Sequence, residues 1–310
     1  MNRCLFIGSK RLGLACLKRL VEDFPKTICA VVTIDDSHEP RSELSRFVLL
    51  SQRTDIPIHI ISPNEDLRPY LERYEPALVF VCGWYRLIAP ELLFAPIYGF
   101  VGIHNSLLPK YRGGAPLVWA MINGEKETGF SLFQLSKGMD DGPLFAQHRV
   151  SIHEEDSIGD LLIRIEEAAP AIIAQIYPSI LTGILLPQPQ TGTPSYAAQR
   201  LPKDGRIFWN WPQKQIHDFI RAQCSPYPGA FFFVGEEQVI IHKSKKLDMT
   251  YYGIPGQVIS NGEGMPLVIC GDQKPLQIEE ICYKGKNVSP RILLNSGQIR
   301  LLDYVRNTCF

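Results

Sequence analysis

A histidine, His104, ends an apolar run and leads directly into a turn rich in glycine and cations, "GIHNSLLPKYRGGAP" (residues 102–116). Further along, "KGMDDGPL" places Asp140 and Asp141 in a loop between two strand-like segments. A carboxylate beside an imidazole fixes the tautomer of the ring and stabilises its cationic form. A lone buried His is more often a core residue and "DDG" alone is typical of a turn, but together they predict a proton-transfer site.

Alternating strand and helix patterns would position this histidine. The strand-like "RCLFIG" is followed by helical spacing of Leu14, Leu17 and Val21, and further apolar runs, "ICAVVTI", "IPIHII" and "ALVFVCGW", alternate with helix-like segments. This order predicts a doubly wound, mainly parallel α/β sheet of the Rossmann-like class. Such sheets bind ligands beyond the carboxyl ends of their strands, so "FVGIH" would bring His104 to the ligand-binding edge.

The pattern changes after residue 190. Residues 191–205 are rich in Pro and Gly and read as a linker. Residues 206–310 begin with one helix-like segment and continue as short strands separated by Gly-containing turns, which predicts a smaller, β-rich, OB-like domain. We therefore expect a first domain over residues 1–190 and a second over residues 206–310.

Composition excludes several classes of protein. Apolar residues make up 45% of the 310 residues, and 32 Lys and Arg balance 32 Asp and Glu, so no excess charge favours a nucleic acid or a membrane surface. The eight cysteines form no CxxC pair, which predicts reduced thiols in a cytoplasmic protein and no metal site. The loop "GSKRLG" lacks the second Gly of a dinucleotide fingerprint and the GKS ending of a P-loop, so both nucleotide sites are disfavoured.

The segment "HNSLLPKYRGGAPLVWAMINGEKETGFSLFQLSKGMDDGPL" resembles the core signature of the 10-formyltetrahydrofolate-dependent formyltransferases. "CGWYRLIAPELL" resembles the segment whose backbone lines the folate pocket in that family. "IHDFIRAQCSPYPGAFFF" is similar to the start of the C-terminal domain in its tRNA and amino-sugar branches. The resemblance covers nearly the whole chain.

The resemblance implies transfer of a formyl group from 10-formyltetrahydrofolate to a primary amine, without a metal. It assigns His104 to oxyanion stabilisation and proton movement, and Asp140 to orienting His104 and helping the amine lose its proton. The residues that it implies for the folate donor are Tyr85, Arg86, Leu87, Ile88, Gly138, Met139 and Asp140. Those that it suggests for the acceptor are Ser106, Leu107 and Arg112, although Arg112 could equally brace its own loop.

The chain departs from the family at one catalytic position. The family has Asn two residues before the histidine, where this chain has Gly102. Loss of such a donor costs about 10² to 10³ in rate in other acyl-transfer enzymes. Three accounts stay open: Asn105 supplies the amide if the chain turns there, water or substrate replaces it, or the protein binds its ligands without useful catalysis.

The acceptor is the remaining question. After the second strand this chain has "TIDDSHEPRSELSRF", which is acidic before it is basic, whereas the tRNA branch carries a basic loop there. We therefore expect a nucleotide-linked amino sugar before methionyl-tRNA, with a catalytically impaired folate- or sugar-binding protein as the alternative of another class. A homodimer and the role of the C-terminal domain stay open.

Overall fold

The computed structural model describes residues 2–62, 65–294 and 300–301, so Cys309 lies outside the described residues. Internal contacts divide the chain into two compact units. Unit 1 consists of Met1–Pro116, Glu127–Ser151 and Leu162–Ala197. Unit 2 consists of Leu117–Lys126, Ile152–Leu161 and the chain from Ala198 onward. Residues 191–197, which composition assigns to a linker, thus belong to unit 1.

Unit 1 is built on a seven-stranded sheet. Within the described residues this unit has seven strands in the main sheet and two outside it. In chain order they are β1 (Cys4–Gly8), β2 (Ile28–Ile34), β3 (Ile58–Ile61), β4 (Leu78–Cys82), β5 (Phe100–His104), β6 (Arg112–Gly113), β7 (Glu127–Gln134), β8 (Leu144–Ser151) and β9 (Tyr196–Ala197). The main sheet has the order β3-β2-β1-β4-β5-β7-β8, and β6 pairs with β9. Strands β1 to β5 pair in parallel, whereas β7 pairs antiparallel with β5 and with β8. The mainly parallel, Rossmann-like α/β sheet is therefore confirmed.

Helices follow the strands as the spacing predicts. The first five are α1 (Lys10–Asp23), α2 (Leu44–Thr54), α3 (Arg68–Tyr74), α4 (Pro116–Ile122) and α5 (Ile158–Leu181). Leu14, Leu17 and Val21 of α1 are buried, as an apolar stripe facing the sheet should be. The core beside the sheet includes fully buried Leu5, Val79 and Phe100 from three adjacent strands. This core holds the start of β5 at Phe100 in place. Nowhere in the described ranges is a helix both long and apolar enough to cross a membrane.

Unit 2 contains a separate antiparallel sheet, which confirms a smaller β-rich domain. Its strands and helices are α6 (Gln213–Arg221), β10 (Ala230–Val234), β11 (Glu237–Lys246), β12 (Val258–Ser260), β13 (Pro266–Ile269), β14 (Pro275–Tyr283), β15 (Lys286–Val288) and α7 (Pro290–Leu293). The order is β10-β11-β14-β13-β12, with β15 on β14, and no pairing among the described strands closes this path into a ring. Its core surrounds Trp209, which is 0% exposed.

One histidine of unit 2 is buried without full hydrogen bonding. His217 in α6 is 4% exposed, and its Nδ1 lies 3.1 Å from the Ser244 hydroxyl. Its Nε2 is buried and has no partner among the described residues. Burial lowers the pKa of His217, and the opposing effect of Asp218 is smaller. The folded protein therefore holds this ring neutral.

This burial predicts a pH-dependent stability. The ordinary pKa of His is about 6.5, so the unfolded chain takes up a proton at a pH where folded His217 does not. Stability is therefore lost as pH falls from about 6.5 through the lowered folded pKa. We expect His217→Gln to reduce this loss, measured by calorimetric melting across the acidic range. His242→Gln, in strand β11 of the same unit, is the control, and equal acid sensitivity of wild type and His217→Gln would contradict the prediction.

Candidate active site

His104 lies at the carboxyl end of β5, where its strand is held from both sides. Strand β4 pairs in parallel with β5 as far as Gly102, and β7 pairs antiparallel with β5 so that His104 lies opposite Ser131. The His104 residue is 9% exposed, and its ring meets the ring of Phe133 edge-on at 6.4 Å. Close packing leaves the imidazole little freedom, as a group that transfers protons requires.

The hydrogen bonds of His104 define its tautomer. Its Nε2 lies 2.8 Å from the carbonyl oxygen of Tyr111. A carbonyl only accepts hydrogen bonds, so Nε2 carries a hydrogen and Nδ1 of the neutral ring has a lone pair. Nδ1 lies 3.5 Å from Oδ2 of Asp140. The Nδ1 lone pair and a carboxylate oxygen therefore face each other, and a proton placed between them would be hydrogen-bonded to both.

Asp140 approaches His104 from a loop that starts at the other end of β5. The loop joins β7 to β8, and its first residue, Leu135, donates its backbone N–H to the carbonyl of Phe100 at 2.8 Å. Asp140 has φ +47°, a conformation that costs a non-Gly residue about 1 to 3 kcal/mol. Its Oδ2 also accepts the backbone N–H of Gly113 at 2.8 Å. Within the described residues nothing donates to Oδ1, which leaves that atom available for a substrate proton.

An apolar side chain lies beside Gly102, where the resemblance leads us to expect a carboxamide. A Cβ placed on Gly102 would lie 2.8 Å from Cδ2 of Leu135 and 3.4 Å from the Phe133 ring. Gly102 is buried and its backbone lies outside the left-handed region. A side chain at residue 102 is therefore opposed by Leu135 and not by backbone strain. Because the obstructing atom is the end of a flexible side chain, it can move at low cost.

The chain turns sharply at Asn105. The backbone N–H of Ser106 donates to the carbonyl of His104 at 2.9 Å, which closes a three-residue turn centred on Asn105. The strand alternation that would send Asn105 to the face opposite His104 therefore stops here. The Oδ1 atom of Asn105 is buried and has no hydrogen-bond partner within the described part of the chain. The Oδ1 atom of Asn105 therefore takes no part in the hydrogen bonds that stabilise the described fold.

Only some side chains of the predicted donor segment after β4, residues 85–88, are held by contacts within the protein. The Tyr85 hydroxyl donates to Oε1 of Glu39 at 3.2 Å, and its ring lies 5.0 Å from Nζ of Lys10. Burial and the neighbouring carboxylates raise the pKa of Tyr85 to about 12. The Arg86 guanidinium lies 5.1 Å from the same ring. Leu87 is fully exposed, whereas Ile88 packs at the edge of the sheet core.

The acidic residues after β2 are also paired. Lys10 bonds to Oδ2 of Asp36 at 2.6 Å and to Glu39 at 2.5 Å, and Asp36 is 1% exposed. Asp36 therefore balances a partly buried cation at the start of α1. This pairing occupies the acid that a dinucleotide fold would use for ribose.

The remaining donor candidates lie on the Asp140 loop. Gly138 is covered by the carboxylate of Asp141, which accepts the Ser136 hydroxyl. Met139 is 59% exposed, and its Sδ lies 3.0 Å from the place where a Cβ of Gly113 would be. Among the residues described, no group of three His, Cys, Asp or Glu side chains is placed to hold a metal ion.

The predicted acceptor residues stabilise the loop that follows His104. Ser106 is 1% exposed, and its hydroxyl donates to the carbonyl of Lys110 at 2.6 Å. Leu107 packs against Gly129. The Arg112 guanidinium donates twice to Oε1 of Gln190, at 2.7 and 3.2 Å. The bracing role left open for Arg112 thus has direct support in this geometry.

Four groups at this site have no motif that marks them in the sequence. They are the carbonyl of Tyr111, the N–H of Gly113 and the side chains of Leu135 and Gln190. Two of them act through the backbone, which any residue supplies, and Gln190 is the last residue before the segment that composition marks as a linker. Pro189 and Gln190 stand just before that segment, and their spacing does not indicate a catalytic loop.

Comparison with known protein families matches both parts of the chain. Residues 59–177 match the family described as formyl transferase, and residues 201–296 match the formyl transferase C-terminal domain. Together these matches span more than half of the chain. They include His104 and Asp140 in the first segment and the antiparallel sheet in the second.

The chain is also similar to individual relatives. It is 32% identical over 293 residues to the bifunctional polymyxin resistance protein ArnA of Wigglesworthia glossinidia brevipalpis, and the match covers 93% of this chain but only 44% of that protein. Two solved structures share the fold at lower identity. WlaRD, a sugar 3N-formyl transferase crystallised with dTDP and 5-N-formyl-THF, has a TM-score of 0.67 at 19% identity, covering 92% of this chain and 99% of WlaRD. The N-formyltransferase of Helicobacter canadensis, in complex with folinic acid and dTDP-3-aminofucose, has a TM-score of 0.68 at 18% identity, covering 90% and 99%.

Proposed function

The chain belongs to the formyl transferase family, and we propose that it transfers a formyl group from 10-formyltetrahydrofolate to the primary amine of a nucleotide-linked amino sugar. The observation that carries the proposal is the pair formed by His104 and Asp140 at the carboxyl end of β5. Nδ1 and Oδ2 face each other with room for one proton, and Oδ1 of Asp140 is available to a second group. This is the arrangement that deprotonation of an attacking amine requires.

Proton transfer follows from the charges of the pair. An amine attacks a carbonyl carbon only in its neutral form, so an ammonium group must first lose a proton. Oδ1 of Asp140 takes this proton, and the carboxyl group rotates and passes it from Asp140 to Nδ1 of His104. The resulting imidazolium places positive charge beside the reacting centre, where negative charge develops on the formyl oxygen as the amine nitrogen bonds to the formyl carbon. The proton then goes to the tetrahydrofolate nitrogen as the donor's C–N bond breaks. Nε2–H stays on the Tyr111 carbonyl and keeps the ring oriented.

The donor fits the exposed apolar side chains near the pair. When bound, 10-formyltetrahydrofolate supplies an activated formyl group whose nitrogen leaves readily. Leu87, on the segment between β4 and β5, is 103% exposed, and Met139, on the loop that carries Asp140, is 59% exposed. A flat, partly apolar ligand would cover them.

We further propose that Asn105 supplies the amide that Gly102 lacks. The three-residue turn at Asn105 removes the alternation that would otherwise direct its side chain away from His104. Its buried Oδ1 has no partner among the described residues, so the carboxamide can rotate without breaking a hydrogen bond of the fold. The amide N–H group would then donate to the developing oxyanion.

The acceptor is proposed from charge and from the relatives. The equal counts of basic and acidic residues give no electrostatic reason for binding tRNA, whose phosphates dominate its affinity for proteins. The Helicobacter canadensis neighbour was solved with dTDP-3-aminofucose, and WlaRD with dTDP. An amino sugar joined to a nucleoside diphosphate is therefore the acceptor class to test first.

The test follows release of tetrahydrofolate by absorbance, with 10-formyltetrahydrofolate and a panel of nucleotide-linked amino sugars. Mass spectrometry of the sugar product identifies the formylated amine. Release that depends on the amine supports the proposal. Release only with methionyl-tRNA supports the tRNA alternative. Folate binding without release by any amine indicates the impaired binding protein.

Asn105→Ala is expected to lower kcat by about 10²-fold, because it removes an oxyanion donor. KM for the donor should change little, since the carboxamide acts mainly on the transition state. The same absorbance assay gives both constants. Wild-type kcat in Asn105→Ala would exclude the residue as the missing amide.

A second carboxamide at residue 102 gives a matched control. Gly102→Asn combined with Leu135→Ala removes the contact that opposes a side chain there. This pair should restore part of the activity lost in Asn105→Ala. Gly102→Ala with Leu135→Ala introduces the same packing change without an amide, so it should not restore activity.

A further inference from the structure

Gln190 and the first residues of the segment that composition assigns to a linker hold the loop after His104. We call residues 190–197 the strap. Within it, the Ser195 hydroxyl accepts the N–H of Tyr111 at 2.9 Å, and the Ser195 carbonyl accepts the N–H of Arg112 at 2.9 Å. The carbonyl of Ala197 accepts the N–H of Gly114 at 2.8 Å. The loop is thus paired along its backbone, as the β6 and β9 ladder also indicates.

The same loop contains an unusual run of left-handed residues. Tyr111 has φ +57°, Gly113 has φ +101° and Ala115 has φ +49°. Tyr111 and Ala115 have side chains that disfavour this region, so the conformation persists only where surrounding contacts impose it. The strap supplies those contacts. One result is that the Tyr111 carbonyl is directed at Nε2 of His104.

Gln190, the first residue of the strap, also holds the loop that joins β7 to β8 and carries Asp140. Nε2 of Gln190 donates to the carbonyl of Asp140 at 2.8 Å and to the carbonyl of Gly142 at 2.7 Å. Its Oε1 accepts both hydrogen bonds from the Arg112 guanidinium. A single amide therefore fixes two carbonyls flanking the left-handed turn at Asp140 and joins that turn to the loop after His104.

These contacts converge on both ring nitrogens of His104. Nε2 meets the Tyr111 carbonyl, which the strap holds through Ser195, and Nδ1 meets Asp140, which the strap holds through Gln190. We propose that Gln190 is a positioning residue, whose amide sets the orientation of Asp140 toward Nδ1 of His104 and thereby the alignment of the catalytic pair. The proposal concerns the geometry of the pair, and its kinetic consequences rest on the proposed formyl transfer.

The spectroscopic test needs no substrate. In the full chain labelled with ¹⁵N-histidine, the imidazole resonances of His104 are assigned by their loss in His104→Ala. The wild type should show a hydrogen on Nε2 and a separate, hydrogen-acceptor Nδ1. In Gln190→Leu, which keeps the approximate size of the side chain and removes its amide, the Nδ1 resonance should move because the Asp140 carboxylate shifts relative to it, whereas Nε2 keeps its hydrogen on the Tyr111 carbonyl. An unchanged His104 spectrum in this variant would overturn the proposal.

The kinetic test distinguishes positioning from folding. Gln190→Leu should lower kcat about 10- to 10²-fold, the effect of a misplaced catalytic group, while KM for the donor stays close to the wild type. Gln188→Leu is the matched control, because Gln188 lies two residues earlier, is exposed and makes only a weak 3.5 Å side-chain bond to the Leu186 carbonyl. A lower melting temperature with unchanged kcat in Gln190→Leu would mean a structural role only, against the proposal.

We call the hydrogen bonds of the Gln190 amide to Arg112, Asp140 and Gly142 the clamp. Gln190→Glu tests separately its oxygen, which accepts from Arg112, and its N–H group, which donates to the two carbonyls. It keeps an oxygen for Arg112 but sets a carboxylate against the carbonyls of Asp140 and Gly142, so we expect a loss at least as large as in Gln190→Leu. Full activity in Gln190→Glu would show that pairing with Arg112 is the essential contact and would overturn the clamp. If the wild type formylates no amine, the proposed function fails, whereas the ¹⁵N spectra still decide the clamp.

Discussion

Replacing Asp140 by Asn is expected to lower kcat by about 10² to 10⁴, the usual contribution of general acid–base catalysis. The amide keeps the size of the side chain and still accepts the Gly113 N–H through its oxygen. It removes the negative charge that faces Nδ1 of His104 at 3.5 Å. An amine proton then has no carboxylate to accept it. The measurement is kcat for tetrahydrofolate release with the best amino-sugar acceptor.

The adjacent carboxylate provides the control for this prediction. Asp141 accepts the Ser136 hydroxyl and lies over Gly138, and it makes no described contact with His104. Asp141→Asn should therefore keep kcat within a few-fold of the wild type. His104→Ala should lose as much as Asp140→Asn, and the double variant should lose little more, because groups that act as a unit are not additive. Wild-type turnover by Asp140→Asn would refute the assignment.

Trp209→Ala is expected to destabilise the protein by about 3 to 5 kcal/mol, the range for removing a large aromatic side chain from a packed core. Trp209 is 0% exposed and meets Phe232 edge-on, with ring centroids 5.9 Å apart. No small side chain refills that volume, so a cavity remains between α6 and the antiparallel sheet. Denaturant unfolding of the full chain measures the loss.

A matched aromatic on the surface tests whether burial is the cause. Tyr252 lies in the same unit and is 85% exposed. Tyr252→Ala should change the free energy of unfolding by no more than about 0.5 kcal/mol. A loss below about 1 kcal/mol in Trp209→Ala would mean that the core of unit 2 relaxes around the missing ring.

Local sequence patterns predict most of the architecture. Leu14, Leu17 and Val21 recur at helical spacing and are buried on α1, and the apolar runs between helices become the parallel strands β1 to β5. These features depend on neighbours within a few residues, so a single sequence carries them. The change to short strands after residue 206 predicts the second sheet for the same reason.

The end of strand β5 is also readable from the chain. An apolar run followed by polar and glycine-rich residues places His104 at a strand terminus, where α/β sheets bind ligands. Residue identity likewise reveals that Gly102 has no side chain to donate a hydrogen bond. What fills its place is not readable, because Leu135 reaches it from the loop between β7 and β8.

The remaining features of the site depend on contacts between distant segments. Asp140 reaches His104 only because a loop that starts beside Phe100 crosses back toward the other end of β5. The Gly113 N–H and the Gln190 amide hold that loop from segments far away in the chain. Local propensity fixes helices, strands and turns, since their hydrogen bonds and side-chain periodicity are short-range. The orientation of His104 and Asp140 depends on long-range packing and hydrogen bonds that only the folded chain brings together.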